Sequence, residues 1–286
     1  MLFVPDSSLV PIYNDFSTST TPGVSVTPGT SGSEGTYTEL VDGALITEDI
    51  YQMKLWLTGG FVSVQAKPQL LDIGVDEAAG TSYTTIVNNI SCGNTGTISF
   101  ASLRFGGRWF NLPIFIKAGS SVAVRIQGQH ATGTPVRVAS KYIGAPDAPH
   151  SILAAAFTET IGTIASSQGT AFTPGSAAAE GTWTLVGTTV AALWGFMMSI
   201  DHSDSTSSDL GYVFDLAYGD ASNKVLLLEN CPFYSTATED CGHPEWEIGY
   251  ANVPAGTNIY VRGSCSGTPD SNYSCTVIGF GGIGHP

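Results

Sequence analysis

Residues 27–38 read TPGTSGSEGTYT and residues 173–184 read TPGSAAAEGTWT, aligned without a gap at a separation of 146 positions. Seven of the twelve positions are identical, Tyr37 is answered by Trp183, and the four differences between Gly29 and Glu34 all exchange small residues. A duplication would make these the same place in two domains of similar build. The 286 residues leave room for two such domains, since a typical domain of roughly 100 to 150 residues buries an adequate core.

Further landmarks recur in the same order. LDIGVDEA at 71–78 is answered by FDLAYGDA at 214–221, with Asp72 matching Asp215 at an offset of 143. KAGSSVAVR at 117–125 is answered by PAGTNIYVR at 254–262, with Gly119 matching Gly256 and Arg125 matching Arg262 at an offset of 137. The closing stretches VRVASKYIG (136–144) and YSCTVIGFG (273–281) follow in turn. Offsets that shrink along the chain are what loop shortening in the second copy produces, because loops change length at little cost.

Within each copy the periodicity is that of strands. QMKLWLTGGFVSVQ (52–65), SVAVRIQG (121–128) and PVRVAS (135–140) alternate apolar and polar residues or run β-branched, and Gly, Asn, Asp and Ser punctuate them. IKAGSSVAVR predicts a tight turn at Ala118-Gly119-Ser120, followed by a strand with Val122, Val124 and Ile126 on one face. The expected fold is therefore all-β: two tandem antiparallel sandwiches of jelly-roll type. The expected parts are an extended N-terminal arm at 1–34, a first domain at 35–149, an extended connection at 150–180 and a second domain at 181–286. Thirty-four Gly and 15 Pro, with only 12% charged residues, favour this class over amphipathic helices.

Ten Lys plus Arg against 24 Asp plus Glu give a net charge of −14. That balance repels a phosphate backbone, so no nucleic-acid partner is expected. The N-terminus MLFVPDSSLVPIYND lacks a basic region and an unbroken apolar core, so no secretory leader is expected and synthesis is placed in the cytoplasm. The most apolar run, VAALWGFMMSI at 190–200, is well short of the roughly 20 residues that cross a bilayer, so no membrane insertion is expected.

Arg125 and Arg262 fall on matching strands. Such an arginine either lies along the sheet paired with a carboxylate or binds a ligand. Of five cysteines, Cys231, Cys241, Cys265 and Cys275 could close two ten-residue loops as 231–241 and 265–275, or stand as small buried thiols; Cys92 is left over. Cys241-Gly242-His243 lacks the paired CxxC knuckles of a zinc site. Asp72, Asp76, Glu77, Asp215 and Asp220 invite a carboxylate-pair reading, against which Asp after a strand commonly caps its own turn. Asp201-His202-Ser203-Asp204 are adjacent, whereas triad members converge from distant positions. No constellation has both the residue types and the spacing of an active site, so neither catalysis nor a cofactor is expected. Trp109, Trp246 and Tyr250 are candidates for stacking on a ligand from sandwich loops, with core packing as the plainer assignment.

LLDIGVDEAAG followed by LPIFIKAGSSVAVRIQG resembles a domain of uncharacterised structural proteins of tailed bacteriophages, in which an LxDIGxGxxG turn precedes a PxFIPAGSxIAxRxQ hairpin. The first copy matches at Leu71, Asp72, Ile73, Gly74, Pro113, Phe115, Ile116, Ala118, Gly119, Ser120, Arg125 and Gln127. It departs at Lys117, where the pattern has Pro; the second copy restores that Pro at 254 but has Ala217 in place of Gly. The resemblance implies a virion component, assembled in the cytoplasm and exposed on the released particle. The expected role is a head decoration or cement protein bound to the major capsid protein or other virion subunits, as a homo-oligomer or lattice. A tail or baseplate protein recognising host glycans is the alternative.

Overall fold

The computed structural model describes residues 11–13, 23–29, 32–59, 69–91, 108–128, 135–144, 154–162, 169–177, 179–202, 210–235, 248–269 and 273–283. Among these the chain is all-β, with one 3-10 turn at Gly43–Leu45 and no α-helix. Ten strands come from the first half: β1 (Pro11–Tyr13), β2 (Val24–Val26), β3 (Ser33–Glu34), β4 (Thr38–Val41), β5 (Ile50–Gly59), β6 (Gln69–Asp76), β7 (Thr84–Ser91), β8 (Arg108–Leu112), β9 (Ser121–Gly128) and β10 (Val136–Gly144). Nine come from the second: β11 (Phe157–Ile161), β12 (Thr170–Phe172), β13 (Thr184–Thr188), β14 (Leu193–His202), β15 (Leu210–Gly219), β16 (Lys224–Ser235), β17 (Ile248–Val253), β18 (Asn258–Cys265) and β19 (Tyr273–Gly281).

These strands form four antiparallel sheets, and no sheet mixes the halves. The first sheet runs β1-β10-β5-β8, with β2 also on β10; the second runs β3-β9-β6-β7, with β4 also on β9. The third runs β11-β19-β14-β17, with β12 also on β19; the fourth runs β13-β18-β15-β16. The second pair of sheets thus repeats the strand order of the first. Register repeats as well. In the first half Leu71, Ile73, Gly74 and Val75 face Ile90, Val87, Thr85 and Thr84, with shifts on either side of Ile73. In the second, Phe214, Leu216, Ala217 and Tyr218 face Cys231, Leu228, Leu226 and Val225, with shifts on either side of Leu216. The turns before β9 and β18 match too, with Gly119 at φ +81° and Gly256 at φ +80°. Only a residue without a Cβ adopts that region at no cost.

Alternation accounts for the packing. Val122, Val124 and Ile126 on β9 and Ile259 and Val261 on β18 are buried, while Arg125 and Arg262 are turned partly outward. Phe110 and Tyr142 fill the first core; Phe172, Tyr212, Phe214, Phe233 and Tyr273 form an aromatic cluster in the second, with the Tyr212 and Tyr273 rings 4.7 Å apart. One continuous apolar cluster joins the two halves.

The segments expected as an arm and a connection belong to the sandwiches wherever they are described. β1 and β2 pair with β10, and β3 with β9, so the expected boundary between residues 34 and 35 falls inside the first sandwich. β11 and β12 likewise pair with β19 before residue 181. These are edge strands of two to five residues, rich in Ser and Thr. Such pieces are too short to display a period and take their shape from the strand they join.

The halves meet where edge strand β7 lies on the outer face of the third sheet. Thr158 and Thr160, two residues apart on β11, donate their hydroxyls to the carbonyls of Ile86 (2.6 Å) and Asn88, and Ser199 donates to Ser91 O (3.2 Å). Side-chain hydroxyls therefore satisfy a strand edge whose backbone carbonyls would otherwise need water or another strand. Ala155 adds a parallel bridge beside Ile114, accepting from Phe115 N (3.0 Å) and donating to Pro113 O (2.6 Å). Replacing Thr158 and Thr160 together by Val is expected to cost about 2 kcal/mol, near 1 for each lost bond to a buried carbonyl. Urea unfolding reads the loss, and faster amide exchange confined to β7 and β11 locates it.

Candidate functional site

The recurring sequence landmarks converge in space. Asp72 on β6 lies directly across from Arg125 on β9, and Asp215 on β15 directly across from Arg262 on β18. Arg125 donates from Nε to Asp72 Oδ2 at 2.9 Å, with Nη2 also 2.9 Å away, and its Nη1 meets Glu34 Oε2 at 2.5 Å. Arg262 does the same to Asp215 Oδ2, at 2.9 and 2.8 Å, and its Nη1 meets Glu180. Each guanidinium also lies over an aromatic ring, Tyr37 at 4.8 Å and Trp183 at 4.4 Å from the centroid. A planar cation with its donors on carboxylates and its face on a π system is held by every kind of contact it can make.

The remaining oxygen of each buried aspartate is used as well. Asp72 Oδ1 accepts from Asn89 N at 2.8 Å, and Asp215 Oδ1 from Asn230 N at 2.7 Å. Both asparagines are left-handed, at φ 57° and 54°. A short polar side chain tolerates that region better than most, so each bulge amide can turn toward its carboxylate.

The twelve-residue repeat supplies the rest of the clasp. Gly29 N and Gly35 N share one acceptor, Ile126 O, at 3.0 and 2.9 Å; Gly175 N and Gly181 N share Gly263 O, both at 2.8 Å. The lead-in therefore doubles back on itself with no space for side chains. A Cβ on Gly29 would come within 2.2 Å of Ser33 O, and one on Gly175 within 2.2 Å of Ala179 O. Glu34 or Glu180 stands just before the second glycine of that crossing and Tyr37 or Trp183 two residues after it, which delivers the carboxylate and the ring to the arginine.

Each clasp sets one cation against two carboxylates. Asp72 and Asp215 are only 2% and 3% exposed. Burial and the neighbouring Asp72 raise the Glu34 carboxyl above its ordinary value of 4.5, although Arg125 pulls the other way. Burial opposes the charge on Arg125, but its hydrogen bond to Asp72 and the negative groups around it prevail and raise its pKa. Burial also raises the Tyr37 phenol, whose OH is 2.7 Å from Thr85 Oγ1. Arg125 and Arg262 are thus engaged internally, each lying along its sheet against a buried aspartate.

The other sequence candidates separate. Cys265 and Cys275 stand as buried thiols on strands of different sheets, each donating weakly to a carbonyl, Gly267 O and Thr276 O, so the 265–275 disulfide is not formed. Burial pushes the Cys275 thiol up, which holds it protonated. Cys231 is likewise a buried thiol; Cys241, Cys92, His243 and Trp246 lie outside the described residues. Trp109 sits on β8 opposite Trp56. Asp76 caps its own turn through Ala78 N and Ser82 N, at 2.9 and 2.8 Å, and Asp220 does so through Ser222 N and Asn223 N, both at 2.7 Å. The Asp220 carboxyl is accordingly lowered, first by Asn223 and then by Ser222. Asp72 and Asp215 belong to opposite halves, so these carboxylates do not gather into a pair. Among the described residues no cluster of His, Cys, Asp and Glu could hold a metal, and no helix is long and apolar enough to cross a membrane.

Tyr250 is 67% exposed and stacks on Trp194, with planes 2° apart and centroids at 6.1 Å. Trp194 is fixed by its Nε1–H donating to Gly282 O at 2.6 Å. Trp194 was hidden in the apolar run 190–200; its only sequence signal is an extra residue in the alternation, which the structure uses as a bulge between Leu193 and Gly195.

No protein-family model matches this chain, and no curated protein does. Among solved structures, PNGF-II is similar at 7% identity with a TM-score of 0.41, over 98% of this chain and 67% of that one. The major capsid protein P2 of bacteriophage PM2 is similar at 7% identity with a TM-score of 0.34, over 96% and 98%. The PBSX exported protein XepA is similar at 11% identity with a TM-score of 0.24, over 97% and 89%.

Two outcomes are expected at the clasp. Arg125→Met leaves Asp72 buried without its cation and should cost about 3 kcal/mol or more in urea unfolding; adding Asp72→Asn should recover part of that loss. Carboxyl NMR should place Glu34 above the ordinary value, and Asp72→Asn should bring it down. Since the folded chain holds that proton more tightly than the unfolded chain, Glu34 favours folding below 4.5 and loses that contribution as pH rises through its raised value. Glu34→Gln should remove this component from the pH profile of stability.

Proposed function

We propose that this chain is a non-enzymatic structural protein of a bacteriophage particle, built by internal duplication as two tandem jelly rolls. Each half interleaves its strands in the order that two Greek keys produce. The observation that carries the reading is the repeated clasp. The polar residues that recur between the halves, from Glu34 and Glu180 to Arg125 and Arg262, fasten a lead-in to its own sandwich, which is architecture rather than chemistry.

The specific role proposed is head decoration or cement on the outer capsid surface, with the major capsid protein or another virion subunit as partner. The resemblance at LLDIGVDEAAG and LPIFIKAGSSVAVRIQG supports the phage assignment. Two alike sandwiches in one chain suit neighbouring, nearly equivalent positions on a lattice. A net charge of −14 suits an outer surface better than a lining for packaged DNA.

The Tyr250–Trp194 stack favours a second reading, a tail or baseplate protein that recognises host glycans, because an exposed aromatic platform is what the apolar face of a sugar ring packs against. Imaging of particles carrying a labelled copy decides between them. Label spread over the head at lattice stoichiometry is expected; label confined to the tail tip would reject the decoration role. Glycan-array binding lost in Tyr250→Ala would support the second reading.

A further inference from the structure

The repeated register gives the chain just after β8 a counterpart on β17. Lys54 faces Asn111 as Met197 faces Ile248, and Ile50 bridges Ile116 as Leu193 faces Val253. Pro113, Ile114 and Phe115 therefore correspond to Tyr250, Ala251 and Asn252, and Tyr51 corresponds to Trp194. In the first half the chain entering β11 covers this edge. Ala155 N donates to Pro113 O at 2.6 Å, Phe115 N donates to Ala155 O at 3.0 Å, and Ala154 packs with Tyr51 and Phe115. Pro113 and Ile114 are buried beneath it and Phe115 is half-buried. In the second half β17 is the last strand of its sheet, and among the described residues none bridges Ala251 as Ala155 bridges Ile114. There Tyr250 is 67% exposed, Asn252 is exposed and Ala251 is half-buried.

The cover has a counterpart as well, because it is the segment that leads into a sandwich. Thr158 of β11 faces Phe280 as Pro11 of β1 faces Ile143, and Phe280 and Ile143 hold equivalent places on β19 and β10. Three residues before them stand Ala155 and Ser8. Ala154-Ala155 thus corresponds by count to Ser7-Ser8, which lie outside the described residues. Both are pairs of small residues. A narrow seat against a strand edge demands that, since Ala154 and Ala155 are buried where they lie.

We propose that Ser7-Ser8 of one copy dock along the β17 edge of a second copy, beside Ala251. The Tyr250 carbonyl and the Asn252 N–H then take the parts that Pro113 O and Phe115 N play toward Ala155. The exposed Tyr250 ring, backed by Trp194, supplies the apolar surface against which the segment packs. An extended segment added to an open sheet edge gains main-chain hydrogen bonds and side-chain contact together. Segment and edge are different surfaces, so the association is head-to-tail and builds a ring or a filament. It does not depend on the virion reading, and it gives the aromatic stack to protein rather than to a glycan.

Sedimentation velocity of the full chain, free of sugars, should show self-association over a concentration series. Tyr250→Ala should weaken it by roughly tenfold or more, and Ser8→Glu, which puts a charge where its counterpart is buried, by a similar factor. Ser8→Ala should leave it unchanged. Joining Tyr250→Ala to Ser8→Glu should weaken it less than the two separate losses multiplied, because both act on one contact. Circular dichroism confirms folding, and Ser8→Glu carries the test should Tyr250→Ala not fold. With Tyr250→p-benzoylphenylalanine, irradiation should join position 250 to the first ten residues of another copy. A wild-type chain that stays monomeric, with or without glycan binding through Tyr250, would overturn the proposal. So would association indifferent to Ser8→Glu, or a cross-link that maps elsewhere.

Discussion

A carboxylate buried between a sheet's outer side and the lead-in laid over it needs a cation within reach, and in each half of this protein that need fixes what surrounds it. Asp72 and Asp215 sit almost wholly out of water, which would carry a large desolvation penalty without Arg125 and Arg262 directly across the strand pair. The arginine in turn needs partners for its outer edge and its face. Glu34 with Tyr37, and Glu180 with Trp183, supply them only if the preceding backbone doubles back tightly. Close crossing demands glycine at 29, 35, 175 and 181. A single electrostatic requirement thus propagates from a buried aspartate to the composition of a lead-in far away in sequence.

The fold class was legible because its signals are local. Alternation in SVAVRIQG and the turn glycine at 119 need no tertiary knowledge, and both are found as read. The repeat was legible for a different reason: its members recur in the same order at matched spacing, which no single segment shows. Less legible were the short edge strands. Residues 11–13, 24–26 and 33–34 carry no period of their own and are shaped by β9 and β10, which is why they read as an arm.

At the candidate site, types and spacing identified the arginines and the aspartates, but not their pairing. Nothing in the spacing of 53 residues between Asp72 and Arg125 says that β6 lies beside β9; the strand order does. The left-handed Asn89 and Asn230 were likewise unreadable singly, though their correspondence across the repeat was available once loop shortening between Asp215 and Asn230, relative to Asp72 and Asn89, was allowed for. Cys265 and Cys275 misled for the converse reason. Ten residues apart in a β protein can be two neighbours on a hairpin or, as here, positions on sheets that face each other.

That separation of thiols bears on the life of the second core. Cys231, Cys265 and Cys275 are packed as small apolar groups among aromatic rings, and at 265 and 275 no oxidation step is part of reaching the native state. At those two positions the native packing is made by the thiols themselves, so it has the same form whether the medium around the chain is reducing or oxidising.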